Sequence, residues 1–344
     1  MLIKFLTGMN TIYSDLMAHV MLTARVTSMA LIASILLAGC GDDIPPDIDL
    51  RQEMRDFVTG ISGYARSQHA SFIVIPQNGI ELVTMDGEAD GPVSTGYLDA
   101  IDGHGQEDLF YGYNRDDQAT PDGENSYLRD FLDRSLGEGN VILVTDYCST
   151  HAKMDDSYTR NQSAGYVSFA APDRELDRVP AYPEPLFMEN DEEITGLGEV
   201  RNFLYLINPE QFGTEEEFIQ AIAATNYDLL IMDLFSADNV PFTESEVGRL
   251  KEKANGGRRL VVAYMSIGEA EDYRYYWKSE WKKDPPAWLD GENPAWEGNY
   301  KVSYWEGEWQ EIIYGGGDSY LDRILEAGFD GVYLDIIDAF EYYE

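Results

Sequence analysis

Residues 328–344 read GFDGVYLDIIDAFEYYE. A buried strand runs through Val332, Tyr333 and Leu334, and acids, Asp335 and Asp338, appear where that strand reaches the surface. Similar units recur to either side. Apolar runs at 71–79 (SFIVIPQNG), 140–148 (NVILVTDYC), 164–172 (AGYVSFAAP), 200–208 (VRNFLYLIN), 227–235 (YDLLIMDLF) and 259–271 (RLVVAYMSIGEAE) read as further strands, with a weaker one inside 97–113. Helical signals lie between them. Met54, Phe57, Val58, Ile61 and Tyr64 recur at helical spacing over 50–68, and NSYLRDFLDRSLGEG is amphipathic and ends at glycines. TEEEFIQAIAAT begins with Thr214 as its N-cap, and TESEVGRLKEKANGG has the Thr243/Glu246 capping-box spacing and a glycine stop. A last helix covers 318–327.

Residues 173–199 interrupt the alternation. They are rich in proline and acid and have no period, which predicts a linker or surface-hugging connection. Four strand–helix units precede this stretch and four follow it. Continuous Val/Ile/Leu strands alternating with helices predict a parallel sheet covered on both faces. Eight such units predict an α/β fold of the (β/α)8 TIM-barrel type in a single domain over 51–344, while an open doubly wound sheet fits the same alternation. No G-x-G-x-x-G follows a strand, so a dinucleotide site has no support.

Composition narrows the function. The chain has 344 residues, 63 acids against 24 bases and a formal charge of -39. Such a surface repels phosphate backbones, so nucleic acid is not an expected partner, and the acid excess suits a protein working in high salt. The segment 1–40 has Arg25, an apolar run from Met29 to Leu37, and Ala38-Gly39-Cys40, which reads as a secretion signal. Its ending LLAGC resembles a bacterial lipobox. That resemblance implies lipidation at Cys40, a tether over 41–50 and a secreted protein anchored to the outer face of a bacterial membrane. A plain signal peptide or a short anchor is the alternative. Met21 is a second plausible start. Cys148 is left without a partner, so no disulfide framework supports the fold.

In a (β/α)8 barrel the active site lies at the carboxyl ends of the strands. Those ends carry Asn208, Asp233, Ser266 with Glu269 and Glu271, Asp335 with Asp338, Gln77 with Asn78, Glu107 with Asp108, and Asp146 with Tyr147. No strand interior is expected to carry a carboxylate or amide. A ring of acids predicts raised pKa values or contacts to a cation or sugar hydroxyls. No H-x-H, H-E-x-x-H or cysteine cluster occurs, so no metal and no cofactor is expected; no G-x-S-x-G elbow occurs either. Carboxylates at a barrel mouth point to glycoside chemistry, which needs one carboxylic acid and one carboxylate. All six tryptophans fall within 273–309, and their faces suit sugar rings, although packing in a loop core explains most single ones.

Three stretches, AYMSIGEAEDYRYYW (263–277), PAWEGNYKVSYW (294–305) and GFDGVYLDIIDAFEYYE, resemble the endo-α-1,4-polygalactosaminidases, glycoside hydrolase family 114. Some members of that family were labelled cysteinyl-tRNA synthetases, but H-I-G-H and K-M-S-K-S are both missing here. DFVTGISGYARSQHASFIVIPQNGIEL, IDGHGQEDLFYGY and VILVTDYC resemble segments that follow the GVYLDIIDA strand in the family, whereas here they precede it. The resemblance thus implies a circularly permuted barrel, cut after the fourth family strand, with the old ends joined through 173–199. Asp335 would then be covered by the helix over 50–68.

By the same resemblance, Asp335 corresponds to the nucleophile and, more loosely, Glu107 to the acid/base of a retaining glycosidase. Glu107 should then have the less solvated setting. Asp233, Tyr264, Glu269, Asn78, Asp146 and Tyr147 are candidate substrate contacts. The implied substrate is an amino-sugar polysaccharide, cleaved by a monomeric enzyme. The alternative is a surface lipoprotein that binds polysaccharide on the same barrel without cleaving it.

Overall fold

The structure, a computed structural model, describes residues 48–344. The signal segment, Cys40 and most of the tether lie outside the described residues. In chain order, helix α1 (Leu50–Gln68) is followed by strand β1 (Ile73–Pro76), helix α2 (Thr95–Ala100) and strand β2 (Gly103–Glu107). Helix α3 (Asp122–Gly137), strand β3 (Val141–Tyr147), helix α4 (His151–Ala164) and strand β4 (Val167–Ala171) complete the first half. The second half begins with β5 (Phe203–Tyr205), α5 (Glu215–Ala223), β6 (Leu229–Asp233), α6 (Glu244–Leu250) and β7 (Leu260–Ser266). A small excursion of β8 (Glu269–Glu271), β9 (Leu289–Glu292) and β10 (Asn299–Val302) leads to α7 (Gly307–Ile313), α8 (Tyr320–Glu326) and β11 (Gly331–Asp335).

Every apolar run read from the sequence contains a strand. Five strands form a wholly parallel sheet in the order β1–β11–β7–β6–β5, and β2–β3–β4 form a second parallel sheet. The strand interiors are buried almost throughout, as expected where helices cover both faces. At one seam, Asn78 N–H donates to Gly105 O (2.8 Å) and Asp102 N–H to Val74 O (2.9 Å), joining β1 to β2. At the other, the rings of Phe169 of β4 and Phe203 of β5 pack at a tilt with centroids 5.6 Å apart. Gly105 is required at the first seam, because the Tyr333 hydroxyl occupies the space a Cβ would need.

Helix α1 lies beside the end of β11. Its Asp49 cap accepts from Gln52 N–H, Arg51 pairs with Glu344 (2.8 Å), and Tyr304 donates to Leu50 O (2.8 Å). The expected neighbourhood of helix 50–68 and the Asp335 strand is therefore present, with β1 and β11 paired in parallel from Ile73–Gly331 to Pro76–Leu334. The caps at Thr214 and Thr243/Glu246 form as read.

Two expectations fail, and one helix went unread. The helix after Thr243 stops at Leu250, not at the glycines, because Lys251 turns away to reach Gly328 O (2.7 Å) and Asp330 (2.7 Å). Gln106, an amide, sits inside β2, where its Nε2 finds Asn78 Oδ1 (3.2 Å) and Glu107 O (2.9 Å). Helix α4 was not announced by apolar spacing, since half of its buried residues are Ser157 and Asn161.

At the amino ends of the strands one device occurs three times. Asp102, Asp228 and Asp330 each stand one residue before a strand and accept a backbone N–H from the neighbouring strand or its lead-in: Val74 (2.8 Å), Arg201 (2.9 Å) and Val261 (2.9 Å). Each is also paired with a base: Arg66 (2.7 Å), Lys253 (2.6 Å) and Lys251 (2.7 Å). These aspartates tie strand to strand where the sheets begin.

Candidate active site

At the opposite ends of the strands lies a cavity of about 620 Å³. All eight parallel strands supply it. Gln77 follows β1, Glu107 ends β2, Tyr147 ends β3, Arg174 follows β4, Asn208 follows β5, Asp233 ends β6, Tyr264 comes from β7 and Asp335 ends β11. Asp338, in the turn of helix Ile337–Tyr342 after β11, also lines it.

Glu107 is held by three donors: Gln77 Nε2 (2.7 Å), Asn78 Nδ2 (3.2 Å) and the Tyr147 hydroxyl. Asn78 is fixed in turn. Its backbone is left-handed (φ 59°), its Oδ1 accepts Glu107 N–H (3.1 Å), and its carbonyl lies 2.8 Å from His104 Nε2. Burial lowers the His104 pKa to about 4, so the neutral ring donates from Nε2 to that carbonyl at neutral pH.

Asp335 Oδ2 accepts the Tyr264 hydroxyl (2.6 Å). Burial, reinforced by the Glu107 charge, pushes the Asp335 pKa up to about 7, with Tyr264 opposing. The next residue, Ile336, is left-handed (φ 58°, ψ 38°), a rare state for a β-branched residue that costs about 1–3 kcal/mol. The Ile336 N–H lies beside the Asp335 carboxylate and favours its anion. Asp338 has no hydrogen-bonding side-chain partner among the described residues, and burial beside Asp335 pushes its pKa up to about 8.

The two arginines of the cavity are already engaged. Arg274 grips Asp233 with both terminal nitrogens (2.9 and 2.7 Å) and Glu271 with Nε (2.6 Å). Arg174 binds Asp108 (2.7 Å) and Asp116 (2.6 Å) and lies over the Tyr147 ring at 4.1 Å. Glu107, Asp335 and Asp338 are left facing the cavity without a cation.

Among the residues read from sequence, the cavity collects Asp335, Glu107, Asn78, Tyr147, Tyr264 and Asp233, the last bound to Arg274. Two belong elsewhere. Asp146 is buried behind the site, accepting Phe110 N–H (2.8 Å), Tyr111 N–H (3.1 Å), Ser157 Oγ (2.6 Å) and Asn161 Nδ2 (3.2 Å). Glu269 is buried under the β8–β9–β10 excursion, accepting Asn293 Nδ2 (2.7 Å) and the Tyr342 hydroxyl (2.8 Å). The expected solvation order of the pair also changes, since desolvation falls heavily on Asp335 while Glu107 faces three donors. Arg274, Arg174 and Tyr205 were not read as site residues. Tyr205, whose hydroxyl donates to Gln77 Oε1 (3.1 Å), was legible as the one polar-tipped side chain inside the apolar run FLYLI.

Fold and cavity together define a parallel α/β protein with a carboxyl-rich cleft, wide enough for a sugar, at the carboxyl ends of its strands. Residues 211–343 match the model of glycoside-hydrolase family GH114, so this stretch of the chain is glycoside hydrolase family 114-like. It is 43% identical over 159 residues to an uncharacterized protein of Methanocaldococcus jannaschii, covering 45% of this chain and 43% of the relative. An uncharacterized protein of Thermotoga maritima is 44% identical over 122 residues, 36% of each chain. One of Deinococcus radiodurans is 40% identical over 126 residues, 37% of this chain and 38% of the relative. The chain thus matches less than half the length of each of these relatives.

Proposed function

We propose that the protein is a retaining glycoside hydrolase acting on an α-linked, galactosamine-containing polysaccharide, with Asp335 and Glu107 as its carboxyl pair. The observation that carries this reading is the convergence of both carboxyls, from strands at opposite extremes of the described chain, on one cavity whose arginines are engaged elsewhere. The Glu107 charge acts on Asp335 and raises its pKa. A cationic amino sugar arriving beside Asp335 and Asp338 favours the Asp335 anion, and the mechanism requires Glu107 to enter with a proton. Asp335 then attacks the anomeric carbon while Glu107 protonates the leaving oxygen, and Glu107 next deprotonates the water that releases the product.

The same reading closes the eight parallel strands into a (β/α)8 barrel in circularly permuted order; the seams at β1–β2 and β4–β5 support it. It also places the chain on a membrane surface through a lipid at Cys40. The test is hydrolysis of deacetylated and acetylated α-1,4-galactosamine polymers. Asp335→Asn and Glu107→Gln should each lower kcat by at least about 10²–10⁴ while leaving binding intact. Azide should rescue the two variants with opposite anomeric outcomes. Equal turnover by wild type and both variants refutes the assignment.

A further inference from the structure

Five of the six tryptophans are buried or half-buried in the packing around β8–β10 and α7, as in the Trp281–Trp288–Trp309 cluster with centroids 5.1 Å apart. Trp296 is different. It is 61% exposed, more than any other large apolar side chain among the described residues, and it lines the rim of the cavity. It sits on a turn between β9 and β10 pinned at several points. Trp296 N–H donates to Asn293 O (3.1 Å), Asn299 N–H to Trp296 O (3.1 Å), Gly298 N–H to Glu292 Oε1 (2.7 Å) and Asp272 N–H to Gly298 O (2.8 Å). The backbone that carries the indole is therefore held in place by the fold.

Its surroundings suit one kind of ligand. Tyr273, 49% exposed, lines the same rim, and Asn239 fastens the neighbouring 236–240 loop to it by donating to Tyr273 O (2.9 Å). Glu297 and Asn299 flank Trp296 and also line the cavity. An exposed aromatic face bordered by a carboxylate and an amide matches a pyranose ring, with C–H groups on one face and hydroxyls or an amine around its edge.

We propose that Trp296, with Glu297 and Asn299, forms a sugar subsite at the rim, holding a neighbouring residue of the same polysaccharide whose cleaved bond lies at Asp335 and Glu107. This rests on the function proposed above. The subsite would add binding energy for chains and none for a single sugar.

Acrylamide quenching of tryptophan fluorescence tests it without needing turnover. The probes are galactosamine, a deacetylated α-1,4-galactosamine oligomer and an N-acetylated one. Oligomers should protect the exposed fluorophore of the wild type, the monomer should not, and Trp296→Phe should abolish the change. In hydrolysis, Trp296→Ala should raise KM for polymer about tenfold and leave kcat/KM on a small aryl glycoside unchanged, while Trp296→Phe recovers most of the loss. Because the side chain is exposed, both variants should keep the wild-type unfolding midpoint. Protection by the monomer equal to that by oligomers, or an equal loss on polymer and aryl glycoside, overturns the subsite. So does the lack of any protection by oligomers. Absence of turnover on every polymer, with oligomer protection intact, instead overturns the hydrolase reading and leaves the subsite standing.

Discussion

Asp335 is the last residue of β11 and Asp146 the last but one of β3, and their sequence settings, VYLD and LVTD, look alike. Their partners separate them. Asp146 meets four donors, two of them from helix α4, and is consumed by structure. Asp335 meets one phenol and one strained backbone N–H, and its remaining capacity faces the cavity. Its raised pKa has a stability consequence. A carboxyl that titrates near 7 when folded and near 4 when unfolded stabilises fully below pH about 4, and that contribution is lost as pH rises through about 7. Asp335→Asn should therefore melt higher than wild type at pH 8 and alike at pH 4, as thermal unfolding across that range will report. Tyr264→Phe removes a donor that favours the anion, so the Asp335 pKa should rise further. A pH–rate profile should show the low-pH limb moving upward and kcat at pH 7 falling about tenfold; an unmoved limb would mean that Tyr264 does not hold the reacting carboxyl.

Among the elements, strands were the most legible, because a parallel strand buried on both faces is an unbroken apolar run. Helix α4 was hidden because its inner face is polar, and it is polar because it serves Asp146. One missed helix thus accounts for one misplaced site residue. Glu269 was misplaced for a related reason: the antiparallel excursion that buries it is made of short strands, two with half-exposed residues, and gives no periodic signal. Arg274 stands three residues after Glu271, a spacing that pairs them across one turn, but its second grip on Asp233 spans 41 positions, and no local pattern carries that. The aspartates before β2, β6 and β11 make a prediction of their own. Asp228 and Lys253 are wholly buried, so Asp228→Ala strands a buried ammonium and should cost about 3–5 kcal/mol. Denaturant unfolding should show that loss with kcat on the remaining folded protein unchanged; a stable but inactive variant would contradict the structural role.

For the molecule as a whole, a charge of -39 repels itself at low ionic strength. The screening length falls from about 10 Å at 0.1 M to about 3 Å at 1 M salt, so the unfolding midpoint should climb steadily as sodium chloride is raised from 0.1 to 2 M. A midpoint indifferent to salt would remove the saline-habitat reading. The acids are not distributed alike along the strand axis. Those at the amino ends stand beside lysine or arginine, while Glu107, Asp335 and Asp338 at the cavity do not. Durability and reactivity are consequently lodged at separate poles. A protein engineer could harden the lower pole against heat, or retailor the loops above for another polymer, and expect either campaign to leave the other property largely untouched.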